Sequence, residues 1–167
     1  MARLILLNGP PACGKSTLAR RYADEHPPAL DLDIDQVRSM VGGWRDDPHN
    51  AGLLARSIAL SAARTHLTAG HDVVVPQLLA RLTFIEQLEH LADEVGAEFH
   101  EIVLLDSKEN MLRRFAERAD PSVGEDELTA MYDRLTAVVA TRAGAKIVHV
   151  EDGEVDQTYR AVLRCLR

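Results

Sequence analysis

The chain opens with a short apolar segment that runs directly into a glycine-rich loop, and this pairing constrains the fold more than any other feature. Leu4-Ile5-Leu6-Leu7 leads into Gly9-Pro10-Pro11-Ala12-Cys13-Gly14-Lys15-Ser16-Thr17, which has the form G-x-x-x-x-G-K-S between a strand and an amphipathic helix. Glycines let such a loop curve round an anion, while backbone N–H groups and the helix N-terminus point at the phosphates. Lys15 would add a mobile positive charge and Ser16 a hydroxyl for Mg²⁺. We therefore expect a nucleotide phosphate site at residues 9–17, against the alternative of an ordinary glycine-rich turn.

Composition limits the number of domains and the kinds of partner. The 167 residues are 46% hydrophobic and contain no linker or repeat, so we expect one domain over residues 1–167. No apolar run is long enough to span a bilayer and the first residues do not resemble a signal peptide, which predicts a cytoplasmic protein without a membrane partner. Cys13 and Cys165 form neither a disulfide framework nor a metal cluster. A net charge of −7 argues against a broad nucleic-acid surface.

Strand and helix patterns alternate along the whole chain. This alternation predicts an α/β fold with a mostly parallel sheet covered on both faces. Ligands of such sheets bind outside the carboxyl ends of the strands. We predict strands at about 3–8, 29–34, 72–76, 98–105 and 146–150, and helices at about 15–25, 36–41, 50–69, 82–95, 107–119, 125–142 and from 155.

The second predicted strand carries a strict alternation of acidic and apolar residues. Leu30-Asp31-Leu32-Asp33-Ile34-Asp35 places three carboxylates on one face, as expected for a half-exposed edge strand. Asp31 is predicted to be solvated, whereas Asp33 and Asp35 fall at the carboxyl end, facing the glycine-rich loop. Asp35 would either accept the proton of an attacking hydroxyl or simply cap the following helix.

The loop at residues 9–17, taken with Asp35-x-x-Arg38, resembles the small P-loop kinases of the AAA_33-type ATP-binding family. That group includes chloramphenicol phosphotransferase, zeta-toxin-type kinases and the kinase domain of polynucleotide kinases. The resemblance implies a single-domain P-loop NTPase fold with strand order 2-3-1-4-5 and a donor nucleotide, usually ATP, with Mg²⁺. It further implies that Asp35 is the general base, with Asp33 in reserve, and that Arg38 anchors substrate or phosphate.

A small helical lid is predicted at about residues 107–127. Arg114 and Arg118 stand four residues apart and therefore on one helix face, and Asp120-Pro121-Ser122-Val123-Gly124 supplies a break that could act as a hinge. By the resemblance, these arginines would bind the nucleotide and steady charge on the transferring phosphate. The alternative is a solvated helix face, on which Arg113 and Glu117 form an i,i+4 pair.

The third predicted strand departs from the common P-loop pattern because it ends in Pro76-Gln77 where many such proteins have a carboxylate for Mg²⁺. Mg²⁺ would then rest on Ser16, phosphates and waters, with Asp33 or Asp35 reached through water. We expect Gln77 and Arg81 near the acceptor, or merely in a strand-to-helix loop. Trp44 would stack on a substrate ring, unless it is a packing anchor.

These features together predict a kinase that transfers the γ-phosphate of ATP, or of GTP, to a hydroxyl of a small molecule such as an antibiotic, nucleoside or sugar. The predicted catalytic residues are Lys15, Asp35 and Arg118. Three alternatives stay open: a polynucleotide 5′-hydroxyl kinase, a nucleoside monophosphate kinase using Arg38, Arg45 and Arg81, and a non-catalytic nucleotide switch.

Overall fold

A computed structural model of the chain describes residues 1–118 and 123–167. All strands of its single sheet are parallel, in the order β2-β3-β1-β4-β5, so the predicted fold class and strand order are confirmed. The strands are β1 (Arg3–Asn8), β2 (Leu30–Asp31), β3 (Val73–Pro76), β4 (Glu98–Leu105) and β5 (Lys146–His149). The helices of the described ranges are α1 (Lys15–Glu25), α2 (Ile34–Ser39), α3 (Pro48–Thr68), α4 (Leu82–Val95), α5 (Lys108–Glu117), α6 (Glu125–Ala140) and α7 (Val155–Cys165).

The central strand β1 explains why the sheet is covered on both faces. Its four apolar residues are buried, as expected of a parallel strand with helices above and below it. Leu4 and Leu6 pack in the core formed with α2, α3 and α4. Ile5 and Leu7 point the other way, into the core formed with α1 and α7.

Helix α3 packs closely against its neighbours because one face carries only small side chains. Ala51, Ala55, Ala59 and Ala63 recur every four residues, are buried, and are followed by buried Leu67. Residues four apart share a helix face, so this stripe lets the backbone of α3 lie near α2 and α4.

The predicted second strand is shorter than the acidic-apolar alternation suggested. Strand β2 covers two residues rather than 29–34, and α2 begins at Ile34 rather than at residue 36. The cause is Asp33, whose carboxylate Oδ1 accepts hydrogen bonds from the backbone N–H groups of Asp35 (2.9 Å) and Gln36 (3.4 Å). This N-cap starts the helix and ends the strand. The capping role considered for Asp35 therefore belongs to Asp33.

The prediction that Asp31 is solvated is wrong. Its side chain is 10% exposed and lies 3.9 Å from the guanidinium of Arg20 on α1. Burial raises the pKa of the Asp31 carboxyl above its ordinary value, and Arg20 offsets part of that shift. The edge strand thus has its acidic face covered by α1.

Part of the predicted lid lies outside the described residues. Helix α5 and the start of α6 occupy most of the predicted range 107–127, but the proposed hinge falls mainly on residues 119–122. In the described ranges, none of the helices has the length and apolar character needed to cross a membrane.

Candidate active site

The glycine-rich loop has a backbone conformation that only particular residues can adopt. A Cβ atom at Gly9 would lie 2.5 Å from the carbonyl oxygen of Leu104 on β4, so the loop can pass this strand only without a side chain. Gly14 has φ +90° and occupies the N-cap position of α1. A glycine cap supplies no side-chain acceptor, which leaves the first N–H groups of α1 available to an anion.

Lys15 is held over this loop by two backbone carbonyl groups. Its ammonium Nζ donates to the oxygen of Gly9 at 3.0 Å and to that of Pro10 at 2.7 Å, and it lies 3.7 Å from Cys13 Sγ. Burial lowers the pKa of the Lys15 ammonium, while the nearby Cys13 and Asp35 work in the opposite direction. The positive charge is therefore positioned where phosphate oxygens would approach the loop.

Asn8 fixes the loop to the neighbouring strand and was not anticipated from the sequence. Its fully buried side chain accepts from the N–H groups of Gly9 and Leu79, both at 2.8 Å, and donates to the carbonyl oxygen of Leu79 at 3.0 Å. The sequence contained one indication of this role, because Asn8 is a polar residue at the end of an apolar strand. Asn8 thus joins the start of the phosphate loop to the segment after β3.

A cavity of about 570 Å³ lies against the loop and brings together most of the predicted site residues. It opens at the carboxyl ends of β1 and β3, as expected for a ligand site in a parallel sheet. The predicted residues that line it are Pro11 to Thr17, Asp35, Arg38, Gln77 and Arg118. The sequence analysis missed Pro76, Leu78, Val123, Glu127 and Met131, which also line it.

Asp35 and Arg38 stand together at the mouth of this cavity. Their carboxylate and guanidinium groups are 3.6 Å apart, and the Asp35 side chain is 64% exposed. Since Asp33 makes the cap, the Asp35 carboxylate borders the cleft, and its ion pair with Arg38 is a loose one. That is the arrangement of a carboxylate available to a hydroxyl group.

Trp44 and Arg81 do not line this cavity. The guanidinium groups of Arg38 and Arg45 lie 5.1 and 4.5 Å from the centre of the Trp44 ring, so Trp44 supports Arg38 rather than facing the cleft itself. Arg81 is exposed at the N-cap position of α4. Trp44 and Arg81 are therefore outside the group of predicted residues that this cavity brings together.

The two lid arginines have different surroundings. Arg114 pairs with the buried Asp106 at 2.8 Å and also with Asp152, which ties α5 to the segments after β4 and β5. Arg118, at the C-cap of α5, borders the large cavity. The predicted pair of Arg113 with Glu117 is present at 3.8 Å.

A second cavity of about 170 Å³ adjoins the other side of the loop. Its walls come from the loop and start of α1, from Arg114 and Arg118, and from the segment Val150 to Gly153 that follows β5. The turn Glu151-Asp152-Gly153 was the signal that the sequence analysis did not use. A cavity beside the phosphate loop, at the same edge of the sheet, suits the base and ribose of a nucleotide.

The residues at the loop also fit a magnesium ion held mainly by phosphates and water. Ser16 is exposed in the first turn of α1, and both Ser16 and Asp35 border the large cavity. Across residues 1–118 and 123–167, no group of three or more His, Cys, Asp or Glu could hold a metal ion. Mg²⁺ characteristically keeps several waters and uses few protein ligands, so a hydroxyl and one distant carboxylate are compatible with it.

Solved structures with a similar fold include kinases. The tunicamycin resistance protein of Deinococcus radiodurans is 16% identical, with 99% of this chain and 94% of that chain covered and a TM-score of 0.65. A gluconokinase from Sinorhizobium meliloti 1021 is 17% identical, with 97% and 90% covered and a TM-score of 0.70. A chain of the Pnkp1/Rnl/Hen1 RNA repair complex is 16% identical, with 84% of this chain and 46% of that chain covered and a TM-score of 0.70.

Sequence comparison gives a family but no curated relative. No curated protein matches the chain. The family model AAA_33, described as an AAA domain, matches residues 4–148, which include the glycine-rich loop, Asp35, β2 to β4 and all but one residue each of β1 and β5. The chain therefore belongs to the AAA_33 family of AAA domains and has the fold of a P-loop kinase.

Proposed function

We propose that this protein is a kinase that transfers the γ-phosphate of ATP to a hydroxyl group of a small molecule. The single observation that supports the proposal is the large cavity, whose lining includes both the glycine-rich loop and Asp35. A nucleotide-binding switch would need the loop but not the carboxylate. GTP would fit the same loop.

The phosphate loop would bind and orient the donor. The N–H groups of the loop and of the start of α1 would hold the phosphate oxygens, and Lys15 would exchange its bonds to Gly9 and Pro10 for bonds to the β and γ phosphates. Ser16 would ligate Mg²⁺, which supplies charge neutralisation between the phosphates when bound. These residues position the donor and contribute no covalent chemistry.

Asp35 would act on the acceptor. Its carboxylate would accept the proton of the attacking hydroxyl as the oxygen bonds to the γ-phosphorus and the bond to ADP breaks. Arg38, 3.6 Å away, would hold the Asp35 carboxylate toward the acceptor, and Gln77 would contact the acceptor from the end of β3.

Arg118 would stabilise charge that develops on the transferring phosphate. It is the lid arginine that borders both the large cavity and the smaller one beside the loop. Arg114 would have a structural role, since its guanidinium is already paired with two carboxylates. The smaller cavity would take the nucleotide base.

A second candidate function is phosphorylation of a polynucleotide 5′-hydroxyl, which is supported by the similarity in fold to a chain of an RNA repair complex. The net charge of −7 weighs against it, because binding a strand depends on neutralising its phosphates.

The test is phosphoryl transfer by the purified chain. Mg·ATP labelled in the γ-phosphate is supplied with nucleosides, sugars, hydroxylated antibiotics and a 5′-hydroxyl oligonucleotide, and labelled product and ADP are measured. Lys15→Ala serves as the blank. Acceptor-dependent transfer that the blank lacks would support the kinase, and transfer to the oligonucleotide alone would favour the second candidate. Tight nucleotide binding without transfer to any acceptor would contradict both.

A further inference from the structure

Two residues that border the large cavity each contain a buried polar atom without a partner in the described residues. Gln77 Oε1 and Arg38 Nε are both shielded from solvent, and neither has a hydrogen-bond partner within residues 1–118 and 123–167. Both residues border the cavity that contains the phosphate loop and Asp35. A buried polar group without a partner costs free energy, so both side chains would be stabilised by turning these atoms toward a molecule bound in the cavity.

The two atoms require different kinds of group. Gln77 Oε1 accepts a hydrogen bond and Arg38 Nε donates one. A hydroxyl can donate and accept at once, so two neighbouring hydroxyls of one molecule would satisfy both atoms. A bare carboxylate or phosphate could serve Arg38 but has no hydrogen to give to Gln77.

The charges around the cavity point to the same class of molecule. The charged residues among its described lining are Lys15, Arg38 and Arg118, with Asp35 and Glu127 opposing them. Once Lys15 and Arg118 are engaged by the donor phosphates, the acceptor faces Arg38 against two carboxylates. An acceptor that brings its own negative charge would therefore be repelled.

Resting on the proposed kinase function, we infer that the acceptor is an uncharged polyhydroxylated compound and that Glu127 of α6 selects against anionic acceptors. Arg38 and Gln77 hold neighbouring hydroxyls while Asp35 takes the proton of the reacting one. Glu127, which the sequence analysis did not single out, is a specificity-determining residue.

The experiment compares acceptors that have the same carbon skeleton and hydroxyls but differ in charge. Each pair contains an anionic acid and its uncharged amide: gluconate and gluconamide, glucuronate and glucuronamide, galacturonate and galacturonamide. The kcat/KM of each is measured with Mg·ATP for the full chain, for Glu127→Gln and for Glu125→Gln. Glu125 is the matched control because it carries the same charge on the same helix but does not border the cavity.

We expect kcat/KM for the uncharged member to exceed that of the anionic member by about tenfold or more, and Glu127→Gln to reduce this ratio by about threefold to tenfold. Glu125→Gln should leave it unchanged. Gln77→Leu and Arg38→Lys should raise the KM for the acceptor while the KM for ATP stays constant.

Three results would overturn the inference. Transfer to the anionic members alone, or at an equal rate, would confirm a kinase while excluding this acceptor class. If Glu127→Gln leaves the ratio of the two kcat/KM values unchanged, Glu127 does not select against anionic acceptors. Nucleotide binding without transfer to any member of the panel would count against the kinase function itself, and the inference would fail with it.

Discussion

Asp33 and Asp35 stand two residues apart, yet their environments give them different tasks. Asp33 accepts two backbone N–H groups at the start of α2, whereas Asp35 lies at the cleft, 3.6 Å from Arg38. Asparagine caps helices about as well as aspartate but cannot accept a proton as a general base. Substituting asparagine at each position therefore distinguishes a capping role from a catalytic one.

We predict that Asp35→Asn lowers kcat by about 10²- to 10⁴-fold, the usual contribution of a general base, while the Kd for Mg·ATP changes little. Asp33→Asn is the matched control and should keep both activity and stability near those of the parent. Steady-state rates and nucleotide titrations measure both. Undiminished transfer by Asp35→Asn would exclude Asp35 as the base, and loss of activity in Asp33→Asn alone would assign the base to Asp33.

The close approach of Gly9 to β4 allows a test of the loop itself. In Gly9→Ala the new Cβ would meet the carbonyl oxygen of Leu104 at 2.5 Å, and backbone cannot yield as a flexible side chain can. We predict a loss of about 1–3 kcal/mol in the free energy of unfolding and weaker nucleotide binding. Gly52→Ala, where nothing lies within 4 Å of the added atom, is the control, and urea denaturation compares the two. Equal stability of both variants would contradict the loop geometry.

Among the elements, β4 and α4 are joined to the end of α6 by a partly buried ion cluster. Arg142 Nε donates to Glu101 at 2.7 Å, and its Nη2 donates to Glu89 at 3.1 Å. The Glu101 side chain is 3% exposed. Burial raises the pKa of the Glu101 carboxyl, and Arg142 opposes that shift.

Removing the arginine would leave the Glu101 carboxyl unpaired in the core, where it must either carry an uncompensated charge or take up a proton. We predict that Arg142→Ala lowers the free energy of unfolding by about 3 kcal/mol at pH 7. Arg64→Ala should cost much less, because its pair with Glu94 lies at the surface. Urea denaturation of the two variants measures the loss in the free energy of unfolding for each. Equal losses would show that the ion pair of Arg142 with Glu101 stabilises the fold no more than a surface pair does.

Elements with strong periodicity were predictable from the sequence, whereas the end of β2, which depends on a side-chain cap, was not. The apolar run of β1 and the glycine-ended α4 have the bounds that were predicted. Strand β2 was misjudged because alternation alone cannot reveal that Asp33 turns its carboxylate back to the chain as a cap. The alternating pattern instead reflects two buried apolar residues, Leu32 and Ile34, on either side of that cap.

At the scale of the whole molecule, the strand order followed from family resemblance, since local patterns do not specify which strands are neighbours. The phosphate loop was predictable because its residues are contiguous. Glu127, Met131 and the turn after β5 border the site through tertiary packing, and nothing local distinguishes them from other helix or turn residues. This is why the nucleotide side of the site could be predicted more fully than the acceptor side.

One tyrosine connects three elements of the molecule and should give global stability a dependence on alkaline pH. Tyr22 on α1 is 2% exposed and its hydroxyl donates to Asp72 Oδ2 at 2.7 Å. Asp72 precedes β3, and its Oδ1 accepts from the N–H group of Arg3 in β1 at 2.8 Å. Burial, followed by the hydrogen bond to Asp72, raises the pKa of Tyr22 to about 12.

A tyrosine in an unfolded chain titrates near 10, so unfolding releases a proton from Tyr22 between these two pH values. The stability that Tyr22 contributes is therefore complete below about pH 10 and is lost as the pH rises toward 12. We predict a fall of about 2–3 kcal/mol in the free energy of unfolding from this residue over that range.

Tyr22→Phe separates this contribution from the titration of other groups. The variant should be about 1 kcal/mol less stable at pH 8, because it lacks the hydrogen bond to Asp72. Above pH 10 its stability should decline less steeply, so that the two proteins converge and then cross. Urea denaturation at pH values between 8 and 12 measures both curves. Parallel curves throughout would mean that the Tyr22 hydroxyl ionises as readily in the folded protein as in the unfolded chain.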